Sequence, residues 1–215
     1  MTQFSNPLAR WNERFSSGDY LFGEKPNQYL ADKTLLLQRG KALCIADGEG
    51  RNSVWLASQG YDVDAFDFSP IAIAKAKQLA AKHQVAVNFN CSDWQSFDWQ
   101  ANQYDTIAGI FFQFADPEAR TEIFTKLNSA IKPGGTLIIQ GYGKDQMQYK
   151  TGGPGILENL YDEDLLLSET RMAAIINSSL DAILCIDVEH RITVFNPAAT
   201  ALFGCPAESA FGSRL

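Results

Sequence analysis

Positive charge is in deficit in this 215-residue chain: 18 Lys and Arg stand against 25 Asp and Glu, a net charge of −7. Neutralising nucleic-acid phosphates or an anionic bilayer needs clusters of Lys and Arg, so neither partner is expected. Histidine is nearly missing, at two residues, which leaves no material for a His-based metal site or Ser-His-Asp chemistry. The four cysteines, Cys44, Cys91, Cys185 and Cys205, form no C-x-x-C pair. That excludes zinc-ribbon spacing and fits reduced thiols in a cytoplasmic protein. No apolar run approaches the roughly 20 residues that span a bilayer. Met1-Thr2-Gln3-Phe4-Ser5 has neither a basic n-region nor an apolar h-region, so no signal peptide is expected. What remains, with 46% apolar and 20% charged residues, is a globular composition, long enough for one domain and part of another.

Strand and helix patterns alternate along the first two thirds. Ala42 to Ala46 is a short apolar run entering a Gly-rich turn, and reads as a buried parallel strand. A helix follows from about Asn52 to Gln59. Asp62 to Asp67 is a second strand, and Ser69 with Pro70 opens an Ala/Lys-rich helix to about Lys82. Val85 to Asn90 and Tyr104 to Phe112 are the third and fourth strands. Pro117 to about Ile131 is a helix capped by Asp116. Pro133-Gly134-Gly135 turns into a fifth strand, Thr136 to Gly141. This alternation predicts an α/β fold, a doubly wound, mostly parallel sheet with right-handed crossovers. Leu8 to Phe15 and Pro26 to Gln38 read as flanking helices. After a polar loop, Gly143 to Gly155, the pattern changes to a helix (about Ser168 to Leu180), a hairpin (Ala182 to Asp187 and Arg191 to Phe195, around Val188-Glu189-His190) and a last helix, Pro197 to Phe203.

Asp47-Gly48-Glu49-Gly50-Arg51-Asn52 fills the first strand–helix turn. Open α/β sheets bind ligands at the carboxyl ends of their strands, near the switch point. Asp67, at the end of the second strand, is placed to accept ribose hydroxyls. Asp93, with Trp94 beside it after the third strand, is placed for an adenine. A dinucleotide fingerprint would want a small third residue where Ser53 stands, and its pyrophosphate would be repelled by Asp47 and Glu49. The sulfonium and ammonium of S-adenosylmethionine suit those acids better.

Residues 11 to about 165 resemble the class I S-adenosylmethionine-dependent methyltransferases of the tellurite-resistance/thiopurine methyltransferase-like group. The resemblance is carried by Trp11-Asn12-Glu13-Arg14-Phe15, Tyr20-Leu21-Phe22-Gly23-Glu24-Lys25-Pro26-Asn27, Asp47 to Ser53, Asp67-Phe68-Ser69, Lys132-Pro133-Gly134-Gly135 and Thr151-Gly152-Gly153-Pro154. It implies that Asp47, Gly48, Glu49, Gly50, Asn52, Asp67, Phe68, Asp93, Trp94 and Phe111 line the cofactor. It also implies that an aromatic N-terminal segment lids the site. Relatives often carry a His shortly after the fourth strand, whereas this chain has Phe112-Gln113-Phe114.

Displacement at a sulfonium expels a neutral thioether, so a small soft nucleophile such as a thiol or metalloid oxyanion needs little acid–base help, and alignment carries the rate. No residue stands out as catalytic in the acid–base sense. The candidate lid and acceptor residues are Trp11, Tyr20, Phe22, Tyr142 and Tyr149, and no metal is expected. Phe112 and Cys44 read as core, His83 as a helix-end residue, His190 as solvated and Asp162-Glu163-Asp164 as a helix start.

From about Glu169, Arg171 to Ile183 followed by Ile186 to Ala199 resembles the opening of a PAS sensory domain. Residues 1–167 are therefore expected to form the methyltransferase domain and residues 168–215 an incomplete PAS-like segment. The partners expected are a small-molecule acceptor, no nucleic acid and no membrane, with the protein a monomer or weak dimer. The rival reading is a fragment of a fused methyltransferase–PAS signalling protein. A hairpin is marginal alone in water, which leads to the expectation that Ala182–Phe195 pairs beside the fifth strand.

Overall fold

The computed structural model describes residues 6–149, 153–178, 182–186 and 190–214. Thr151 and Gly152 of the Gly-rich loop, Leu180 at the expected helix end, and Asp187, Val188 and Glu189 of the hairpin lie outside the described residues. The chain divides into two compact units, Met1–Pro117 with Ser129–Tyr161, and Glu118–Asn128 with Asp162–Leu215.

In the first unit, helices α1 (Pro7–Phe15) and α2 (Gln28–Asp32) precede the sheet. Strand β1 (Lys41–Ile45) leads to α3 (Arg51–Ser58), β2 (Asp62–Asp67) to α4 (Pro70–Lys82), and β3 (Asn88–Cys91) to β4 (Tyr104–Ile110); β5 (Ile131–Gln140) follows α5 (Pro117–Ala130), of which Glu118–Asn128 belongs to the second unit. All pairings are parallel and the order is β3-β2-β1-β4-β5. The winding direction reverses between β1 and β4, so the turns leaving these two strands open on one crevice. Leu43, Cys44, Ile107 and Ala108 are buried in those central strands, as their near-continuous apolar runs require.

Three boundaries move from the sequence reading, each for a local reason. The third strand starts at Asn88 rather than Val85, because Gln84 takes a left-handed φ of 56° and Val85 N–H closes the end of α4 on the Ala80 carbonyl at 3.1 Å. The fourth stops at Ile110, since Phe111 turns out with φ 58° while its N–H still reaches the Gln140 carbonyl at 2.7 Å. Lys132-Pro133-Gly134-Gly135 is a bulge inside β5, standing opposite Asp105 alone between the pairs Ile131–Tyr104 and Thr136–Thr106. Residues 26–38 give α2 and a short 3-10 turn, Thr34–Leu36, instead of one helix. Beyond β5 lie α6 (Gln146–Tyr149), within the segment expected to be loop, and a 3-10 turn, Leu157–Asn159.

The second unit contains α7 (Glu163–Ser178), β6 (Leu184–Ile186), β7 (Ile192–Phe195), α8 (Pro197–Phe203) and α9 (Ala207–Ala210). Asp162 accepts the Leu165 N–H at 2.8 Å and starts α7, which runs unbroken past position 168. Within this unit Glu169 binds Arg120 Nε at 3.0 Å and Thr121 Oγ1 at 3.1 Å. The expectation that the hairpin joins the fifth strand is corrected. Strands β6 and β7 form their own antiparallel two-stranded sheet, and β4 is the only described strand paired with β5. The other edge of β7 is taken by the chain itself, Ile192 N–H binding Ser213 O at 3.0 Å and Gly212 N–H binding Ile192 O at 3.0 Å. Ile192, Phe195, Ala199 and Ala210 make the small core that supports it.

Candidate cofactor-binding site

The turn after β1 is tied down by its own acids. Asp47 N–H continues the β2 pairing to Phe66 O at 3.0 Å, and the Asp47 carboxylate accepts Ser53 Oγ at 2.5 Å. Asp67, buried at the end of β2, accepts the Gly48 N–H on one oxygen and the Ser69 N–H on the other, both at 2.9 Å. Each oxygen retains acceptor capacity, so the group can take two further donors. Loss of water pushes the Asp67 carboxyl above its ordinary range, against the pull of the two N–H bonds. Asp47 is pushed up to about 7, first by burial and then by the like charge of Asp67, with the Ser53 hydroxyl opposing. The turn thus holds two crowded acids that a cation would relieve and a pyrophosphate would crowd further.

Against this turn packs the N-terminal segment. The Phe15 ring lies 3.5 Å from where a Cβ on Gly48 would stand, and Trp11 stacks on Phe15 at 5.3 Å. Phe22 lies 6.5 Å from Trp11, with Arg14 4.6 Å above the Trp11 ring and Arg51 5.6 Å from the Phe22 ring. Asn12 accepts Ser69 Oγ at 2.6 Å, joining α1 to the start of α4.

Three expected ligand or lid residues are committed to this segment. Glu49 accepts the Leu21 N–H at 2.7 Å and pairs with Lys75 at 2.5 Å. Asn52 accepts the Asn27 N–H at 2.9 Å. Tyr20 bonds the Lys75 carbonyl at 3.1 Å and packs against Val54, Leu79 and Ala80, anchoring the segment on α4. Gly50 carries a structural duty beside the ligand approach its position implies: at φ 87° its absent Cβ would lie 2.7 Å from the Ala76 Cβ. It is glycine so that α3 and α4 can meet.

On the far side of β2, Ser92 N–H binds Asp67 O at 3.1 Å, which sets Asp93 one residue past the strand pairing. Asp93 is exposed, and one oxygen closes its own turn on Gln95 N–H, Ser96 N–H and Ser96 Oγ; the Ser96 hydroxyl foremost holds its carboxyl below the ordinary range. Trp94 and Phe68 are half-buried. At the turn after β4, Phe111 is 40% exposed and its ring centroid is 4.7 Å from that of Tyr142. Tyr149, on α6, is 68% exposed and joins none of these contacts. Phe112 and Cys44 are core, His83 caps the end of α4, and His190 is exposed. Among the described residues no cluster of three metal-ligating side chains occurs, and no helix is long and apolar enough to cross a membrane.

Two residues that sequence reasoning passed over organise this region. Lys75 sits in an Ala/Lys-rich helix, where a lysine reads as a solvated face. Gln113, noted only for not being His, is buried and clamps three chain segments: it donates to Tyr142 O at 2.9 Å and Asn159 O at 3.1 Å, and accepts the Tyr142 N–H at 2.5 Å. It thereby fixes Tyr142 opposite Phe111.

Residues 42–135 match the family described as methyltransferase domain, and residues 170–215 match the PAS fold. Hemagglutinin 1 of Eikenella corrodens is 29% identical over 99 residues, 46% of this chain and 33% of that protein. A Haemophilus influenzae protein named probable S-adenosyl-L-methionine-dependent methyltransferase TehB is 24% identical over 119 residues, 55% of this chain and 42% of that protein. The chain spans less than half the length of these curated relatives. In fold it is similar to the N-methyltransferase NodS of Bradyrhizobium japonicum, solved with S-adenosyl-l-homocysteine, at a TM-score of 0.60 and 14% identity over 85% of this chain and 92% of that one.

Proposed function

We propose that this chain, with its methyltransferase-family domain at residues 42–135, is an S-adenosylmethionine-dependent methyltransferase acting on a small soft nucleophile such as a thiol or metalloid oxyanion. The observation that carries the reading is the pair of desolvated acids, Asp47 and Asp67, crowded around a glycine turn at the switch point of the sheet. When bound, S-adenosylmethionine supplies a methyl group on a sulfonium, with a neutral thioether as its leaving group.

The chain's own work is to bind, orient and exclude water. Asp67 would hold the ribose through its remaining acceptor capacity, and Asp47 favours positive charge beneath the turn. Phe15 and Trp11 cover the turn and keep solvent from it. Phe111 and Tyr142, held by Gln113, offer an aromatic wall for the acceptor. Phe111, Tyr142 and Gln113 supply no carboxylate, imidazole or amine, which favours an acceptor that reacts without losing a proton to the protein. The partners proposed are a small-molecule acceptor and neither nucleic acid nor membrane, for a cytoplasmic monomer or weak dimer. Residues 1–167 are proposed as the methyltransferase domain and 168–215 as a partial PAS-like segment.

Calorimetry with S-adenosylmethionine, S-adenosylhomocysteine and NAD tests the cofactor. Binding of the first two and not the third is expected, and the reverse overturns the reading. A product screen over thiols, metalloid oxyanions and thiopurines then tests the acceptor. The PAS-fold match favours a second reading, a signalling fragment in which the first domain only binds the donor. Donor binding without turnover on any acceptor would select it.

A further inference from the structure

We infer that Lys75 and Glu49 are positioning residues, a buried latch that holds residues 15–21 over the donor crevice and sets how long the donor stays there. The inference rests on the reading of the 47–52 turn as a donor site.

The side chains are 12% and 4% exposed. The Lys75 ammonium lies 2.5 Å from Glu49 Oε1 and donates to the carbonyls of Phe15 at 3.3 Å, Ser17 at 3.1 Å and Asp19 at 2.7 Å. Phe15 ends α1, so a cation here also meets the negative end of that helix. The Tyr20 ring lies 5.0 Å from the ammonium, and the second oxygen of Glu49 accepts the Leu21 N–H. Five residues between 15 and 21 therefore touch one ion pair. A buried pair gains little stability over apolar side chains of like size. What this one adds is connection. Glu49 stands between Gly48 and Gly50 in the donor turn, so the same residue belongs to the cradle and to its cover. Breaking the pair loosens the cover without removing any group proposed to touch the donor.

The test uses the full chain with Lys75→Met, Lys75→Arg and, as control, Lys82→Met, which breaks the exposed pair between the end of the same helix and Glu24. Chymotryptic cleavage at Phe15, Tyr20 and Phe22 is timed without donor. Donor dissociation, KM and kcat are measured with S-adenosylmethionine. For Lys75→Met the expectation is cleavage and dissociation each at least tenfold faster, and a donor KM raised at least tenfold, with kcat at saturating donor within threefold. Lys75→Arg should recover most of the protection and Lys82→Met should match the parent. Unchanged cleavage in a folded Lys75→Met variant overturns the latch. Cleavage accelerated equally at sites throughout the chain, or faster cleavage with unchanged dissociation, overturns the positioning role. If the parent binds no S-adenosylmethionine the functional reading falls, and the latch then stands or falls on the cleavage rates alone.

Discussion

The two ends of the main sheet treat buried acid in opposite ways. Toward the amino ends of the strands, Asp64 is buried and saturated: Tyr104 Oη donates at 2.9 Å, Asn88 Nδ2 at 3.1 Å and Lys41 Nζ at 3.2 Å. Half-buried Asp105, on β4 beyond the central β1, takes the Lys41 N–H at 2.8 Å and the Lys132 ammonium at 2.9 and 2.8 Å on its two oxygens. At the carboxyl ends, three residues along from Asp64, Asp67 meets two main-chain N–H groups and no other donor among the described residues, and Asp47 adds a like charge. One end pairs its acids with cations and phenol; the other leaves capacity unused at a cost in desolvation. Stability and ligand chemistry thus occupy opposite ends of the same strands, as in open α/β sheets generally.

The comparison breaks first if the amino-end network is dispensable. Asp64→Ala would leave the buried Tyr104 hydroxyl without its acceptor and the Lys41 ammonium with exposed Asp62 as its remaining acid. A loss of about 3 kcal/mol in unfolding free energy is expected, from a buried hydroxyl left unsatisfied and a charge-assisted bond lost. Denaturant unfolding should show the midpoint falling at constant slope, while donor affinity of the folded fraction holds. A parallel fall in donor affinity would mean that the two ends are not separable.

Gly50→Val tests the carboxyl end for hidden structural duty. A β-branched residue at φ 87° with its Cβ 2.7 Å from Ala76 combines a left-handed backbone with overpacking. Together these should cost about 3 kcal/mol of stability. A valine variant that keeps its unfolding midpoint but loses donor binding would return this glycine to the ligand.

Much of this contrast was readable in residue order, and the unreadable part has a common cause. Short apolar or alternating runs between helical segments located all five strands of the main sheet, and Ser69-Pro70 placed the start of α4 because cap chemistry is local. Asp47 and Asp67 were legible because strand ends fall where the apolar runs stop. What one-dimensional reading missed are contacts between residues distant in sequence. Lys75 looks like any surface lysine until the carbonyls of residues 15–19 arrive. Glu49 looks like a ligand until Leu21 takes it. Gly50 looks like a ligand-approach glycine until Ala76 comes beneath it. The tail misled for the same reason: its hairpin seemed to need a foreign edge, and residues 212–213 supply one from its own chain.

Asp67→Ala should have the reverse signature of Asp64→Ala. Charge-assisted bonds to two hydroxyls would be lost, weakening S-adenosylmethionine by roughly 2 to 3 kcal/mol. Unfolding free energy should change little, because the native state already holds this carboxyl above its ordinary range. Calorimetry of a folded variant with undiminished affinity would show that the ribose is not held there.

The last test separates the ends by pH. Asp47 titrates at about 7 in the folded chain, above the roughly 3.9 of an unfolded aspartate. Between those values the native state binds the extra proton, so unfolding free energy should fall as pH rises from about 4 to about 7 and then level. A cationic ligand prefers the ionised form, so donor affinity should move the other way. It should rise by up to about tenfold per unit below 7 and flatten above it. Asp47→Asn should flatten both slopes, leaving the part that Asp67 contributes. S-adenosylhomocysteine, without the fixed sulfonium charge, should show a shallower rise than S-adenosylmethionine in the parent. Equal slopes for the two ligands would mean that Asp47 senses the turn's own hydrogen bonds and not the charge of what binds above it.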